Sequence, residues 1–310
     1  MIPHAVRRFV PIAVLLVLMG LGGAIYPPFL SPGNLRVLAD DASVIVLLAA
    51  GQTMVILLGS IDLSVAALAG LASVLIALAV PALGVGGVVG VLALTTLLGA
   101  FQGHVHAHAQ LPSVVVTLAG FGMWSGLALA IAQATVPVDA GYSAVAWLEG
   151  ISLGVPHSFA FAVATLVALA SSLRWFPLGR RVRAIGLNPA AAQLCGIRVD
   201  RVKVIAFSVS GLFSGLAGMT MVARTSSGSP TIADSLLLPC IAAVVMGGTA
   251  LAGGIGGPAR TLIGALTITV LRGGIAATGL DPAFEPIAYG VLVVTAVAVA
   301  GDRWKESGIP

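Results

Sequence analysis

The chain has 310 residues, 58% of them hydrophobic and 8% charged, with a mean hydropathy of +1.09. A soluble domain carries roughly 25% charged residues, so this composition excludes a soluble fold and with it a soluble catalytic domain. The net charge of +4 is read as loop topology and not as a nucleic-acid surface, since the cations fall between apolar runs.

Membrane helices need about 20 apolar residues, and the chain divides into ten such runs: Phe9–Tyr26, Ala42–Leu58, Leu63–Val80, Leu83–Ala100, Ser113–Ala134, Ser158–Leu173, Val204–Ala223, Leu236–Ala252, Pro258–Thr278 and Ile287–Ala300. The expected fold is all-α, a polytopic transmembrane bundle forming one domain over residues 1–310. Arg7 and Arg8 precede the first run as in a signal peptide, but the later runs favour a retained helix. With both termini cytoplasmic, the inner loops collect Arg7, Arg8, Arg174, the cluster at 180–203, Arg260, Arg303 and Lys305. The outer loops then hold Arg36 and Arg224 with Asp40, Asp41, Asp139, Glu149, Asp234, Asp281 and Glu285, and Arg272 is expected to snorkel toward headgroups. Two junctions, Gly59–Asp62 and Gly253–Gly257, are each either a tight turn or a break in a longer helix. The turn reading keeps both arginine groups inside and is preferred.

Glycine pairs at Gly86–Gly90, Gly122–Gly126 and Gly211–Gly215 fit small-xxx-small helix packing. Cys195 and Cys240, distant and in no CxxC spacing, read as small apolar fillers and not as a disulfide. His104, His106 and His108 lack acidic or thiol neighbours, so a solvated loop is expected there and no metal site.

Two stretches carry functional signals. Asp62, flanked by Ser60 and Ser64, is expected to cap the third span, and an acid at membrane depth also marks a transport path. Gln52, Thr53, Asp62, Ser64 and Thr117 are therefore candidates for lining one. The second stretch is the inner loop at 174–203, which carries Arg180, Arg181, Arg183, Arg198, Arg201 and Lys203 against Asp200. Within it Asn188 as N-cap, Pro189 at the first helical position and Gly196 as a stop spell a short helix, a docking element on the cytoplasmic side. No phosphate-binding loop, HExxH or G-x-S-x-G occurs, so an enzyme is not expected and any nucleotide must be bound by a partner.

These residues resemble the membrane permeases of ribose-type sugar ATP-binding-cassette (ABC) importers. GSIDLSVAALAG (59–70) is similar to the family's GGIDLSVG-type segment, LPSVVVTLAGFGMWSGLAL (111–129) to its VTLGTM–RGLAL segment, and LLPCIAAVVMGGTALAGGIGG (237–257) to its AIAAVVLGGTSLSGG segment. GRRVRAIGLNPAAAQLCGIRVDRVK (179–203) resembles its cytoplasmic GR-x-x-x-AIG-x-NP loop, with Ala190 and Gln193 standing where acid and base are frequent. The resemblance implies a multi-pass inner-membrane subunit moving a monosaccharide or polyol. It would pair with a second permease, identical or not, with cytoplasmic ATP-binding subunits and with an extracytoplasmic sugar-binding protein. It implies that Asn188, Pro189, Ala190, Ala191, Ala192, Gln193, Leu194 and Gly196 form the coupling helix. No cofactor is expected on this chain, ATP belonging to the partner, and lipid is the surrounding partner. The competing reading is an ion-coupled secondary transporter, for which Asp62 is the sole candidate relay.

Overall fold

A computed structural model describes residues 10–138, 141–292 and 294. The described residues are mostly helical: α1 (Val10–Ile25), α2 (Pro32–Leu57), α3 (Val65–Leu83), α4 (Val85–His108), α5 (Ser113–Ile131), the short α6 (Ser143–Ala146), α7 (His157–Trp175), α8 (Pro177–Leu187), α9 (Pro189–Leu194), α10 (Val199–Thr225), α11 (Leu237–Met246) and α12 (Pro258–Ala277). Two-residue strands pair as β1 (Val136–Pro137) with β4 (Ser227–Gly228) and β2 (Ile151–Ser152) with β3 (Val155–Pro156). Residues 285–292 are helical again. The tenth expected span continues past them, and from 295 onward it lies outside the described residues, as do Arg7, Arg8, Asp139, Arg303 and Lys305.

Among the described residues seven helices are long and apolar enough to cross a membrane, and α1 and α11 are apolar but shorter. Two posts organise the rest. From Ala42 to Leu57 helix α2 is buried on every side, the signature of a helix ringed by others. The 27-residue α10 runs antiparallel to it, with Gly51 against Ser210 and Phe213. Helix α3 returns along the other flank of α10, where Gly218 meets Ala69, Ala72 and Ser73. The connection at Gly59–Asp62 therefore reverses the chain, as the turn reading requires.

The most extensive helix contact joins α4 to α10. A β carbon on Gly99 would meet the Phe207 carbonyl and Gly211, and one on Gly215 would meet Thr95 and Leu92. Removing four side chains lets two backbones approach, which is how membrane helices gain packing without a hydrophobic driving force. Gly211–Gly215 is thus a packing pair, and its counterpart is Gly99–Gly103. Gly86, Gly90, Gly122 and Gly126 have nothing within 4 Å, so those two expected pairs make no contact within the subunit.

Three boundaries differ from the sequence expectation by more than a turn and a half of helix. Helix α2 starts at Pro32 and not Ala42, because Ser31 caps it by accepting from Asn34 N (3.3 Å) and Pro32 occupies the first turn. Asp40 and Asp41 are therefore helical, and Arg224 at the end of α10 bridges both, its Nε 2.6 Å from Asp40. Helix α4 runs on to His108, so the histidines sit on a helix and not in a loop. His106 is buried, with Nδ1 2.7 Å from the Leu111 carbonyl, while the His104 and His108 rings stack at 4.0 Å. Helix α11 stops at Met246, six residues short of the expected Ala252, because Gly248 takes a left-handed conformation (φ 81°). Finally, Arg272 near the end of α12 is ion-paired. Its Nε donates to Glu285 (3.1 Å), which also accepts from Tyr289 (2.6 Å).

Candidate functional site

Three features carry the chemistry: a buried polar turn, a backbone segment that dips into the bundle, and an exposed helix at the arginine-rich end.

The polar turn links α2 to α3. Gly59 (φ 75°) closes α2 with a pair of bonds, Gly59 N to Ile56 O (2.9 Å) and Ser60 N to Val55 O (3.2 Å), the Schellman arrangement that glycine permits. Four of the five sequence candidates converge here. Asp62 Oδ1 accepts from Ser64 N (2.9 Å) and Ser64 Oγ (2.6 Å), and its Oδ2 accepts from Ser210 Oγ on α10 (2.7 Å). With its amide turned to match, Gln52 brackets the Asp62 peptide, donating to its carbonyl (3.0 Å) and accepting from its N–H (3.3 Å). Thr117 Oγ1 donates to Ser113 O (2.9 Å), and Ser113 Oγ in turn accepts from Ile61 N (3.1 Å). Thr53, one step round the helix from Gln52, faces away and meets Thr261 Oγ1 at 2.7 Å.

All five candidates are buried within the subunit. Asp62 is not the N-cap of α3: that position is Ser64, whose side chain makes no capping bond. The carboxylate instead ties the turn to α10, a role that capping preference alone does not reveal. Sequence reading also missed Gln102 and Trp124. Ser64 Oγ lies 2.8 Å from Gln102 Oε1, yet its one proton is committed to Asp62, while Gln102 Nε2 and Trp124 Nε1 are buried without partners beside Gly120. Turning the Gln102 amide gives Ser64 a donor and presents an oxygen on the indole's side.

The dipping segment follows α10. After pairing as β4 the chain turns back, and Ser73 on α3 receives it: Ser73 Oγ donates to Ser229 O (3.0 Å) and accepts from Ser229 N (3.1 Å). Gly70 admits the Pro230 carbonyl against its backbone. Only then does the 10-residue α11 form, about 15 Å long and half a bilayer deep. Non-helical backbone at this depth is tolerated where protein covers it or where it lines a wet cavity. Thr231, Asp234 and Ser235 on this segment are exposed, and an exposed carboxylate there cannot face hydrocarbon cheaply. The polar run TSSGSPTIADS was legible as a loop, but not its descent.

At the arginine-rich end α9 stands between α8 and α10. Asn188 Oδ1 accepts from Ala191 N (3.0 Å) as the expected N-cap. At the other end Gly196 (φ 79°) donates to Gln193 O (2.9 Å), and Ile197 donates to Ala192 O (3.1 Å). Ala192 is buried while Leu194 is 90% exposed; Ala190, Ala191, Gln193 and Cys195 are exposed too, so the apolar-filler reading holds for the buried Cys240 alone. Helix α8 connects α9 to the core through Gly186, which packs against the Leu57 carbonyl and Gly254. Gly254 N donates to that same carbonyl at 2.9 Å. Two chain turns and the helix ahead of α9 therefore share one contact.

Residues 35–300 match the model of a family described as branched-chain amino acid transport system / permease component. The chain belongs to this permease family. The permease is 35% identical to the ribose import permease protein RbsC of Bacillus subtilis over 97% of its own length and 94% of the relative's. It is also 35% identical to RbsC of Escherichia coli K12, covering 93% and 92% of the two chains. To the fructose import permease protein FrcC of Rhizobium meliloti it is 32% identical over 97% and 86%. The permease is thus a multi-pass membrane protein whose relatives carry sugars inward.

Proposed function

We infer that this permease is one membrane subunit of an ABC importer, carrying a monosaccharide or related polyol across the inner membrane by alternating access. The observation that carries the reading is α9: a helix capped at both ends, presenting Leu194 outward and linked through Gly186 to the turns at Leu57 and Gly254. An exposed apolar knob on a rigid helix is a seat for a partner. With the arginine-rich end cytoplasmic and both termini on that side, the partner is an ATP-binding subunit. A second permease, identical or not, and an extracytoplasmic sugar-binding protein complete the assembly. The ion-coupled alternative is set aside, since the permease's relatives are import permeases and Asp62 is held by three donors.

The family description names branched-chain amino acids, whereas the near-full-length relatives are ribose and fructose permeases. The dipping segment favours the sugar. Thr231, Asp234 and Ser235 offer hydroxyls and a carboxylate suited to a polyhydroxyl solute, and residues 226–238 contain no Lys or Arg to take an amino acid's carboxylate. Gln52, Thr53, Asp62, Ser64 and Thr117 join the proposal as the lining of the path in the state where the helices part.

Deleting Asn188–Gln193, or making Gly196→Pro, is expected to abolish uptake by the reconstituted transporter while the subunit still inserts. Proline cannot adopt the positive φ of Gly196 and lacks its N–H. Wild-type uptake would end the coupling assignment. Uptake by the assembled importer is expected to stop on ATP depletion and to survive an uncoupler; uptake by this chain alone in liposomes would overturn the ATPase-driven reading. In a Cys195→Ala background, Ser235→Cys is expected to react with a charged thiol reagent at rest and Ser64→Cys only during ATP turnover. A Ser64→Cys that stays unlabelled throughout turnover removes Ser64 from the path.

A further inference from the structure

A groove at the arginine-rich end, about 1090 Å³, lies between α7, α8 and the start of α12. Its polar wall carries Arg174, Arg180, Arg183 and Arg260, and no acidic residue lines it. None of the four guanidinium groups takes part in an ion pair among the described residues. The single hydrogen bond among them is a long one from Arg183 to the Gly179 carbonyl at 3.5 Å. Arg174, Arg180 and Arg260 are exposed and Arg183 is half-buried beside Gly257.

Next to Arg174 the lining turns apolar along the same spanning helix. Leu166, Val167 and Ala170 of α7 lead away from Arg174 toward the bundle's middle, and Val167 is exposed. Trp175 at the end of α7 is 75% exposed, followed by exposed Phe176. Exposed aromatics at a span's end mark the headgroup level of a bilayer. The groove thus presents clustered cations at headgroup depth and, one to two turns back along α7, an apolar stretch on which Val167 is exposed, Ala170 half-buried and Leu166 buried. Four like charges held together without counter-charge repel one another, and an anion between them relieves that cost. Guanidinium is well matched to phosphate oxygens.

We propose that this groove is a binding site for an anionic phospholipid, with Arg174, Arg180, Arg183 and Arg260 around its phosphate and the acyl chains along Leu166, Val167 and Ala170. Charge complementarity and the continuity of the cationic wall with an exposed apolar helix face select a lipid over a soluble anion. The site needs only that the helices cross a bilayer, and it is independent of what the permease carries.

The test uses the detergent-purified permease exchanged into nanodiscs of phosphatidylcholine with or without phosphatidylglycerol or cardiolipin. Native mass spectrometry is expected to show an anionic lipid retained at least tenfold over phosphatidylcholine, with a rise of several degrees in the thermal midpoint. The double variant Arg174→Gln/Arg260→Gln, on exposed side chains, is expected to fold and to lose both effects. Arg201→Gln, a cation outside the groove, is expected to keep them. Inorganic phosphate alone is expected not to reproduce the shift; if it does, the site takes a free anion and the lipid assignment falls. Equal retention by the double variant overturns the proposal. So does equal loss in Arg201→Gln, which would mean general charge attraction. Lost ATPase co-purification with unchanged lipid retention would make the groove a protein face and overturn it too.

Discussion

Gly186→Leu is expected to reduce uptake to below a tenth of wild type. A β carbon at Gly186 would run into the Leu57 carbonyl and the Gly254 amide, both of which are backbone and cannot rotate away. Relief requires α8 to lift from the two turns, which also strains the 2.9 Å bond from Gly254 to Leu57. Overpacking of this kind costs about 1–3 kcal/mol, and the lost hydrogen bond adds about 1 kcal/mol. The consequence is mechanical. On the proposed function, motion of α9 would reach the helices through α8, and lifting α8 would disconnect the two even where each stays folded. Measured together, uptake and thermal midpoint separate the cases: a fall of a few degrees with uptake lost fits disconnection. Gly186→Ala, with the smaller intrusion, is expected to keep part of the activity. Wild-type uptake by Gly186→Leu would show that the contact transmits nothing.

Asp62→Leu is expected to cost the most stability of any single change in the polar turn. It strips the acceptor from Ser64 N, Ser64 Oγ and Ser210 Oγ at once. Each buried donor left without a partner costs about 1–3 kcal/mol, and no water is at hand where Asp62 is 3% exposed. Little folded protein is expected to survive extraction. Asp62→Asn keeps one oxygen and is expected to fall between that variant and wild type. Adding Ser210→Ala to Asp62→Leu removes one orphaned hydroxyl and is expected to recover part of the midpoint, a coupling that independent sites would not show. A midpoint for Asp62→Leu within two degrees or so of wild type would mean that the turn is held by Gln52, Ser113 and Thr117 without the carboxylate.

What the residues announced in advance was local. The cap at Asn188, the proline after it and the stop at Gly196 are read within nine residues, and the structure builds α9 from those three signals. The reversal at Gly59 was likewise legible, since only one topology kept both arginine groups on one side. What failed depended on distant partners. Asp40 and Asp41 looked like loop residues because hydropathy counts a charge as a break; they lie inside α2, and their counter-charge Arg224 is 184 and 183 positions away. His106 looked solvated because its acceptor, the Leu111 carbonyl, exists only once the chain has turned. Gly99–Gly103 has the same spacing as the two glycine pairs that touch nothing, and only three dimensions tell them apart. The end of α11 was hidden for another reason: Leu236 to Ala252 carries no charge and only Thr249 as a polar side chain, and the left-handed φ at Gly248 that stops the helix leaves no mark on hydropathy.

The brevity of α11 bears on how the chain is made. Ten residues are too few to partition into lipid as they emerge from a translocation channel, which releases helices of about 20. Its first turns have no extended apolar neighbour, because the preceding segment is bonded to Ser73 of α3. Insertion joined to α12, whose Gly264 packs at the Ala243 carbonyl of α11, would supply the missing length as one hairpin. The groove that holds the segment ahead of α11 is built by Ser73 and Gly70 of α3, so α11 can reach its final position only with α3 in place.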